Sequence, residues 1–290
     1  AAGNISHQSE ELVVTIDRTA PTGTVPGLAA TSDTGVSGDH VTSINQPAFV
    51  GRAEANAKVR VYAGSVLVGE GVVNSDESDG QLGDGLGRWE ITVEPLADGV
   101  YQITTEVEDL AGNISPLSAA LSIVIDTLSP QRPTIDLLGV DDTGASELDD
   151  VTNRANEVPL TITAEPGSRV VVKNGQTVID DFVMPAASTV RPYTLGDGEY
   201  KLSVESFDAA GNRSAQSEVL ALVIDRTAPS ATIPALAPYS DTGTPGDAVT
   251  SISQPAFVGR AEANAKVRVY ANGVLVGETF ANSDESDGNA

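Results

Sequence analysis

Residues 100–109 read Val-Tyr-Gln-Ile-Thr-Thr-Glu-Val-Glu-Asp, and the fold turns on them. Tyr101, Ile103, Thr105 and Val107 alternate with Gln102, Thr104, Glu106 and Glu108, the two-residue period of a strand with one buried face. The same alternation surrounds them: Trp89, Ile91 and Val93 against Glu90, Thr92 and Glu94; Val59 and Val61 against Lys58, Arg60 and Tyr62; then Leu121, Ile123 and Ile125. Clusters of Gly, Pro, Asn and Asp punctuate these segments, as turns do in sandwiches. No stretch supports a helical period. The expected class is all-β, with seven strands near 22–27, 47–53, 57–63, 66–74, 88–94, 100–108 and 118–125.

The unit is repeated. Ile-Asp-Arg-Thr-Ala-Pro stands at 16–21 and at 224–229, with Ile-Asp-Thr-Leu-Ser-Pro at 125–130, so Asp17, Asp126 and Asp225 mark linkers 109 and 99 residues apart. That is the length of an immunoglobulin-sized sandwich. The predicted organisation is the final strand of a preceding unit at 1–17, complete units at 18–126 and 127–225, and a partial unit at 226–290 without its last strands. Residues 46–63 and 254–271 are identical.

Composition excludes several functions. With 41 Asp+Glu against 16 Lys+Arg the net charge is −25, which repels phosphate backbones and anionic headgroups and attracts cations, so nucleic acid is not an expected partner. No apolar run reaches the roughly 20 residues of a membrane span, so membrane insertion is not expected. There is no cysteine, which rules out disulfides and thiolate metal sites and suits bacterial export.

Strands running alternately up and down assign every loop to a pole. One pole of the first unit receives the linker Asp17, Glu54, the acidic insert with Asp76, Asp79 and Asp84, and the turn holding Asp109 and Asn113. The opposite pole receives Asp33, Asp39, Asp98 and the outgoing linker Asp126. The second unit repeats these positions with Glu165, Asp208 and Asn212 at one pole and Asp142, Asp149 and Asp197 at the other; the third supplies Asp225, Asp241, Asp247 and Glu262. End-to-end stacking then crowds Asp33, Asp39, Asp98, Asp126, Glu165 and Asp208 into one junction.

Two carboxylates about 4 Å apart repel by about 4 kcal/mol at an effective dielectric near 20, so such a junction calls for a cation. Calcium takes six to eight oxygen ligands in irregular geometry, whereas zinc asks for His or Cys and magnesium for an octahedron. The alternative reading is that Asp-Thr-Gly at 33–35, 142–144 and 241–243 merely makes turns. Its recurrence 16 residues after each linker Asp favours ligands. The insert at 74–85 resembles a calcium loop in composition without EF-hand spacing.

As a set, Asp-x-x-x-Pro (17–21), Asp-x-Gly (33–35), Asp-x-Val-Thr (39–42), Pro-x-x-x-Gly-x-Ala-Glu (47–54), Gly-x-Trp (87–89), Leu-x-x-Gly-x-Tyr (96–101) and Asp-x-Ala-Gly-Asn-x-Ser (109–115) resemble a known family. They are similar to the bacterial Ig-like repeats of giant adhesins secreted by type I systems, such as the giant non-fimbrial adhesin of Salmonella and large biofilm-associated proteins. The second unit departs by lacking Gly-x-Trp and by carrying Asp149-Asp150 before Val151. The resemblance implies a secreted, cell-surface, monomeric rod of repeats in contact with one another. Calcium near the junctions would stiffen it, and it would carry an adhesive tip toward a host-cell or biofilm receptor.

Two other classes compete. Ligand recognition by one unit would use Tyr62, Tyr239, Tyr270 or Trp89, although Trp89 alternates with the core face and aromatics are only 4% of the chain. An enzyme is not expected, since His7 and His40 lie outside any triad and have no counterpart in the other units. Asn113-Ile-Ser and Asn212-Arg-Ser match glycosylation sequons, but their recurrence at one turn favours a structural role.

Overall fold

The computed structural model describes residues 2–75, 85–144, 146, 148–282. Two compact units result, Ala1–Ile224 and Asp225–Ala290. The first contains two sandwiches, called repeats one and two below.

Repeat one is built from β1 (Gly27–Leu28), β2 (Val41–Thr42), β3 (Ala48–Glu54), β4 (Lys58–Ala63), β5 (Val66–Val72), β6 (Leu86–Thr92), β7 (Gly99–Glu108) and β8 (Leu121–Ile125). One sheet runs β1-β3-β6 and the facing sheet β2-β8-β7-β4-β5. Repeat two has the same plan in β9 (Thr134–Leu137), β10 (Val151–Thr152), β11 (Val158–Thr163), β12 (Arg169–Asn174), β13 (Thr177–Val183), β14 (Ser188–Tyr193), β15 (Gly198–Phe207) and β16 (Leu220–Ile224). Its sheets run β9-β11-β14 and β10-β16-β15-β12-β13. The second unit contains two antiparallel pairs, β17 (Ala235–Leu236) with β18 (Phe257–Val258) across a long connection and the hairpin of β19 (Lys266–Ala271) with β20 (Val274–Phe280).

Alternation becomes burial. Ile103 and Val107 of β7 and Trp89 and Ile91 of β6 turn inward onto Phe49, Val59, Val61, Ile123 and Ile125. Repeat two closes without a tryptophan, over Leu160, Ile162, Val172, Met184, Leu202 and Leu222. In both, a tyrosine near the start of the long strand donates its hydroxyl to a carbonyl four residues upstream, Tyr101 to Ala97 at 2.9 Å and Tyr200 to Gly196 at 3.0 Å. That corner is an immunoglobulin hallmark and explains the Leu-x-x-Gly-x-Tyr spacing.

Four features depart from the sequence reading. The segment before β3, read as loop, forms β2, which pairs in parallel with β8 (Val41 with Val124); β10 does the same with β16. The last strand begins at Leu121 rather than near 118. Ahead of it, Ser115 and Ser118 continue the ladder by side chain: Val107 N donates to Ser115 Oγ at 2.9 Å and Thr105 N to Ser118 Oγ at 3.0 Å. Ser214 and Ser217 repeat this against Ser206 and Val204. Finally, the first strand, expected near 22–27, is confined to Gly27–Leu28 with an isolated bridge from Gly23 to Ala53; residues 2–16 form no strand, and Leu12, Val14 and Ile16 are exposed.

Candidate functional site at the repeat poles

The strand directions put the acids where their loops lead. At the incoming pole of repeat one, Asp109 is buried in the turn after β7, its Oδ1 accepting from Ala111 N and Asn113 N, both at 2.8 Å. Asn113 Nδ2 donates to Asp109 Oδ2 at 2.7 Å and to the backbone oxygen of Asp17 at 3.3 Å, tying the linker to the turn. The Asn113 side chain, followed by these backbone donors, holds the Asp109 carboxyl below its ordinary value. Glu54 is raised instead, first by burial and then by the charges of Asp109 and Asp17. Three predicted residues thus meet electrostatically. Asp76, Asp79 and Asp84 lie outside the described residues.

At the junction of repeats one and two the same turn recurs. Asp208 Oδ1 accepts from Asn212 N at 2.8 Å, and Asn212 Nδ2 reaches Asp208 Oδ2 at 2.9 Å and the Asp126 backbone oxygen at 2.7 Å. Glu165 caps the neighbouring loop through its carbonyl, which accepts from Ser168 Oγ at 2.6 Å. From repeat one, Thr34 Oγ1 donates to Ala210 O at 2.5 Å and Val36 N to Ala209 O at 3.2 Å. Gly35, at φ +71, lies so close to Ala209 and Gly211 that a Cβ there would collide with their backbone. Neither Thr34 nor Gly35 was singled out from the sequence as a contact; recurrence of the whole Asp-Thr-Gly triplet, rather than of its aspartate, was the available signal.

The aspartate of each triplet has one satisfied and one orphaned oxygen. Asp33 Oδ2 accepts from Gly38 N at 2.6 Å, Asp241 Oδ2 from Gly246 N at 2.6 Å, and Asp142 Oδ2 from Asp150 N at 3.3 Å. Oδ1 of all three is buried with no hydrogen-bond partner. A buried carboxylate oxygen without a donor is costly, and the omission recurs three times at one position.

The remaining predicted acids hold local backbone. Asp39, Asp149 and Asp247 each accept through Oδ1 from the amide two residues on, Val41, Val151 and Val249, at 2.9, 3.2 and 2.9 Å. This register makes Asp149 the counterpart of Asp39. Asp150 takes the place of His40, both at positive φ. Burial raises the Asp150 pKa, as do Asp136, Asp142 and Asp149 around it, so Asp136 and Asp150 join the acids that the sequence assigns to this pole. Asp98 Oδ1 accepts from Thr127 N at 3.1 Å and Thr127 Oγ1 at 2.9 Å, clamping the outgoing linker. Asp126 and Asp225 accept from Leu128 N and Thr227 N. Asp197 precedes β15, and Glu262 N bonds Ser230 O at 3.1 Å. Among the described residues, no three acidic or histidine side chains converge as they stand on a single ion-sized point.

Of the aromatic candidates for ligand contact, Tyr239 and Tyr270 are exposed. Trp89 is buried and cannot stack on a ligand. Asn113 and Asn212 are committed to their turns. No helix among the described residues is long and apolar enough to cross a membrane.

Among solved structures, fibronectin(III)-like modules of Clostridium thermocellum CbhA share 13% identity over 69% of this chain and 93% of theirs, at a TM-score of 0.38. The human OSCAR ligand-binding domain shares 14% over 65% of this chain and 96% of its own, at 0.31. Domains FN1–FN3 of chicken CNTN1 share 11% over 66% and 67%, at 0.36. No curated protein matches the sequence. The profile described as bacterial Ig-like domain matches residues 19–127 and again 129–226, most of the chain, and with the double sheets and tyrosine corners above it places the protein in the bacterial Ig-like domain family.

Proposed function

We propose that these repeats are spacer modules of a secreted bacterial surface adhesin, stiffened by calcium at the repeat poles and serving attachment to host cells or biofilm surfaces. The observation that carries this reading is the buried, partnerless Oδ1 of Asp33, Asp142 and Asp241. A hard dication is the partner such an oxygen accepts without a proton. At the junction, Asp33 would bind it with help from Asp126, Glu165 and Asp208. At the incoming pole Asp17, Glu54 and Asp109 would serve. The ion would supply positive charge and multiple oxygen bonds; the chain supplies the carboxylates, their preformed turns and the linker held by Asn113 and Asn212.

Titration calorimetry of the 290-residue chain tests it. The expected result is saturable calcium binding with dissociation constants of about 0.1–1 mM, the range of extracellular modules, together with a higher melting temperature and a longer, stiffer scattering profile than in chelator. Asp33→Asn should weaken one site by about tenfold, roughly 1.4 kcal/mol, while leaving repeat one folded. Identical heats and scattering in calcium and chelator would defeat the proposal.

A further inference from the structure

The turn after β7 and its counterpart after β15 share one internal geometry yet differ in what touches them. In repeat two the crest Ala209–Gly211 is occupied by Thr34, Gly35 and Val36, and Ala210 is 0% exposed. In repeat one the equivalent crest, Leu110–Gly112, is open: Leu110 is 83% exposed, Ala111 is exposed, and a Cβ on Gly112 would meet nothing within 4 Å. Gly112 and Gly211 nevertheless have φ of +88 and +85, so the open turn already has the occupied shape. Asp109 and Asn113 hold it by the bonds that Asp208 and Asn212 make.

The occupying loop is equally preformed elsewhere. In the second unit Ser251 N donates to Thr242 Oγ1 at 2.8 Å, as Ser43 N does to Thr34 Oγ1 at 2.8 Å, and Gly246 N holds Asp241 as Gly38 N holds Asp33. Gly243 has a positive φ of +90 and open space around it.

We infer that the Leu110–Asn113 crest is a docking socket whose partner is the Asp-Thr-Gly loop of another repeat of this class, including that of a second copy of this chain. The threonine hydroxyl and the amide two residues beyond it donate to the two crest carbonyls, and the glycine admits the close backbone approach. No carboxylate takes part in these contacts. The docking therefore stands apart from the calcium reading, and the cation would serve to offset the like charges around it.

Disulfide trapping in the full chain tests this, since the protein has no cysteine of its own. Thr244→Cys combined with Leu110→Cys, positions that contribute only backbone groups to the docking, should give a ladder of end-to-end oligomers on mild oxidation. The ladder should form about tenfold faster than with Thr244→Cys and Val66→Cys, because docking raises the local thiol concentration. Val66 is exposed at the opposite pole. The reaction is run in chelator at about 1 M NaCl, where the screening length is about 3 Å, so that it proceeds whether or not calcium binds. Adding Gly243→Val to the reactive pair should return the rate to that of the control. Equal rates for the two pairs, or a ladder indifferent to Gly243→Val, would overturn the inference.

Discussion

Gln46–Ala63 and Gln254–Ala271 are the same eighteen residues in two settings. Phe49 is 0% exposed and Phe257 45%; Val59 and Val61 are fully buried, while Val267 and Val269 are only half-buried. Lys58 to Ala63 recurs as the strand Lys266 to Ala271 and pairs with its hairpin partner with the same irregularity, whereas the seven-residue strand Ala48–Glu54 shrinks to Phe257–Val258 in the second copy. Local sequence therefore suffices for the hairpin. Burial comes from β6, β7 and β8, whose Trp89, Ile91, Ile103 and Ile123 cover the face, and nothing equivalent covers it among the described residues of the second unit.

The largest effect that would break this contrast is truncation at the shared phenylalanine. Phe49→Ala should cost repeat one about 3–5 kcal/mol, by transfer and by the cavity left behind, whereas Phe257→Ala should leave denaturant unfolding unchanged. Equal losses would mean that the second unit is as well packed as the first. A smaller effect sharpens the same point at a shared glycine. Gly51 lies flat against Trp89, so that a Cβ would come within 2.9 Å of the indole Nε1, while at Gly259 the nearest atom is Thr232 Oγ1 at 3.4 Å. Gly51→Ala should destabilise by about 1–3 kcal/mol through overpacking, and Gly259→Ala by a small fraction of that, as read from midpoints in urea.

Smallest is the pH response, which compares carboxylates rather than cores. Glu54 is raised in the folded chain, so its favourable contribution is full below 4.5 and is lost as pH rises through the folded value. Asp109 is held low, so its contribution is present above 3.8 and is lost as pH falls through the folded value. In chelator, repeat one should gain about 0.2–1 kcal/mol as neutral solution is acidified toward 4.5, and then lose stability below 3.8. Glu54→Gln should abolish the gain and keep the loss, with thermal unfolding against pH as the measurement. Repeat two carries its own raised acid, Asp150, at the opposite pole, and should show a gain that Glu54→Gln does not touch.

Much of this was legible beforehand. Two-residue alternation named the inward residues of β4, β6, β7 and β8, and alternating strand direction sent Asp17, Glu54 and Asp109 to one pole and Asp33, Asp98 and Asp126 to the other. Less legible were β2 and β10, because two residues are too few for a period to show. The serine ladder was hidden for another reason: Ser115 and Ser118 replace backbone acceptors with hydroxyls, so strand pairing continues where strand propensity has already ended. Asp150 escaped because its environment joins the adjacent Asp149 to Asp142, eight residues earlier, and Asp136, fourteen residues earlier, and the fold brings these near it.

The sequence by itself determined the strand period, the repeat length, the tyrosine corners and the recurrence of Asp-Thr-Gly and Ala-Gly-Asn, since each is set by neighbours a few residues away. Tertiary structure alone decided that the triplet's threonine and glycine touch the next repeat, that its aspartate keeps one buried oxygen without a donor, and that one of two identical strand sets is covered. Those outcomes depend on groups distant in sequence meeting in space, as Thr34 and Ala210 do across the junction and Phe49 and Ile123 do within the core. Hydrogen bonding and burial reward such meetings only once the chain has closed its sheets.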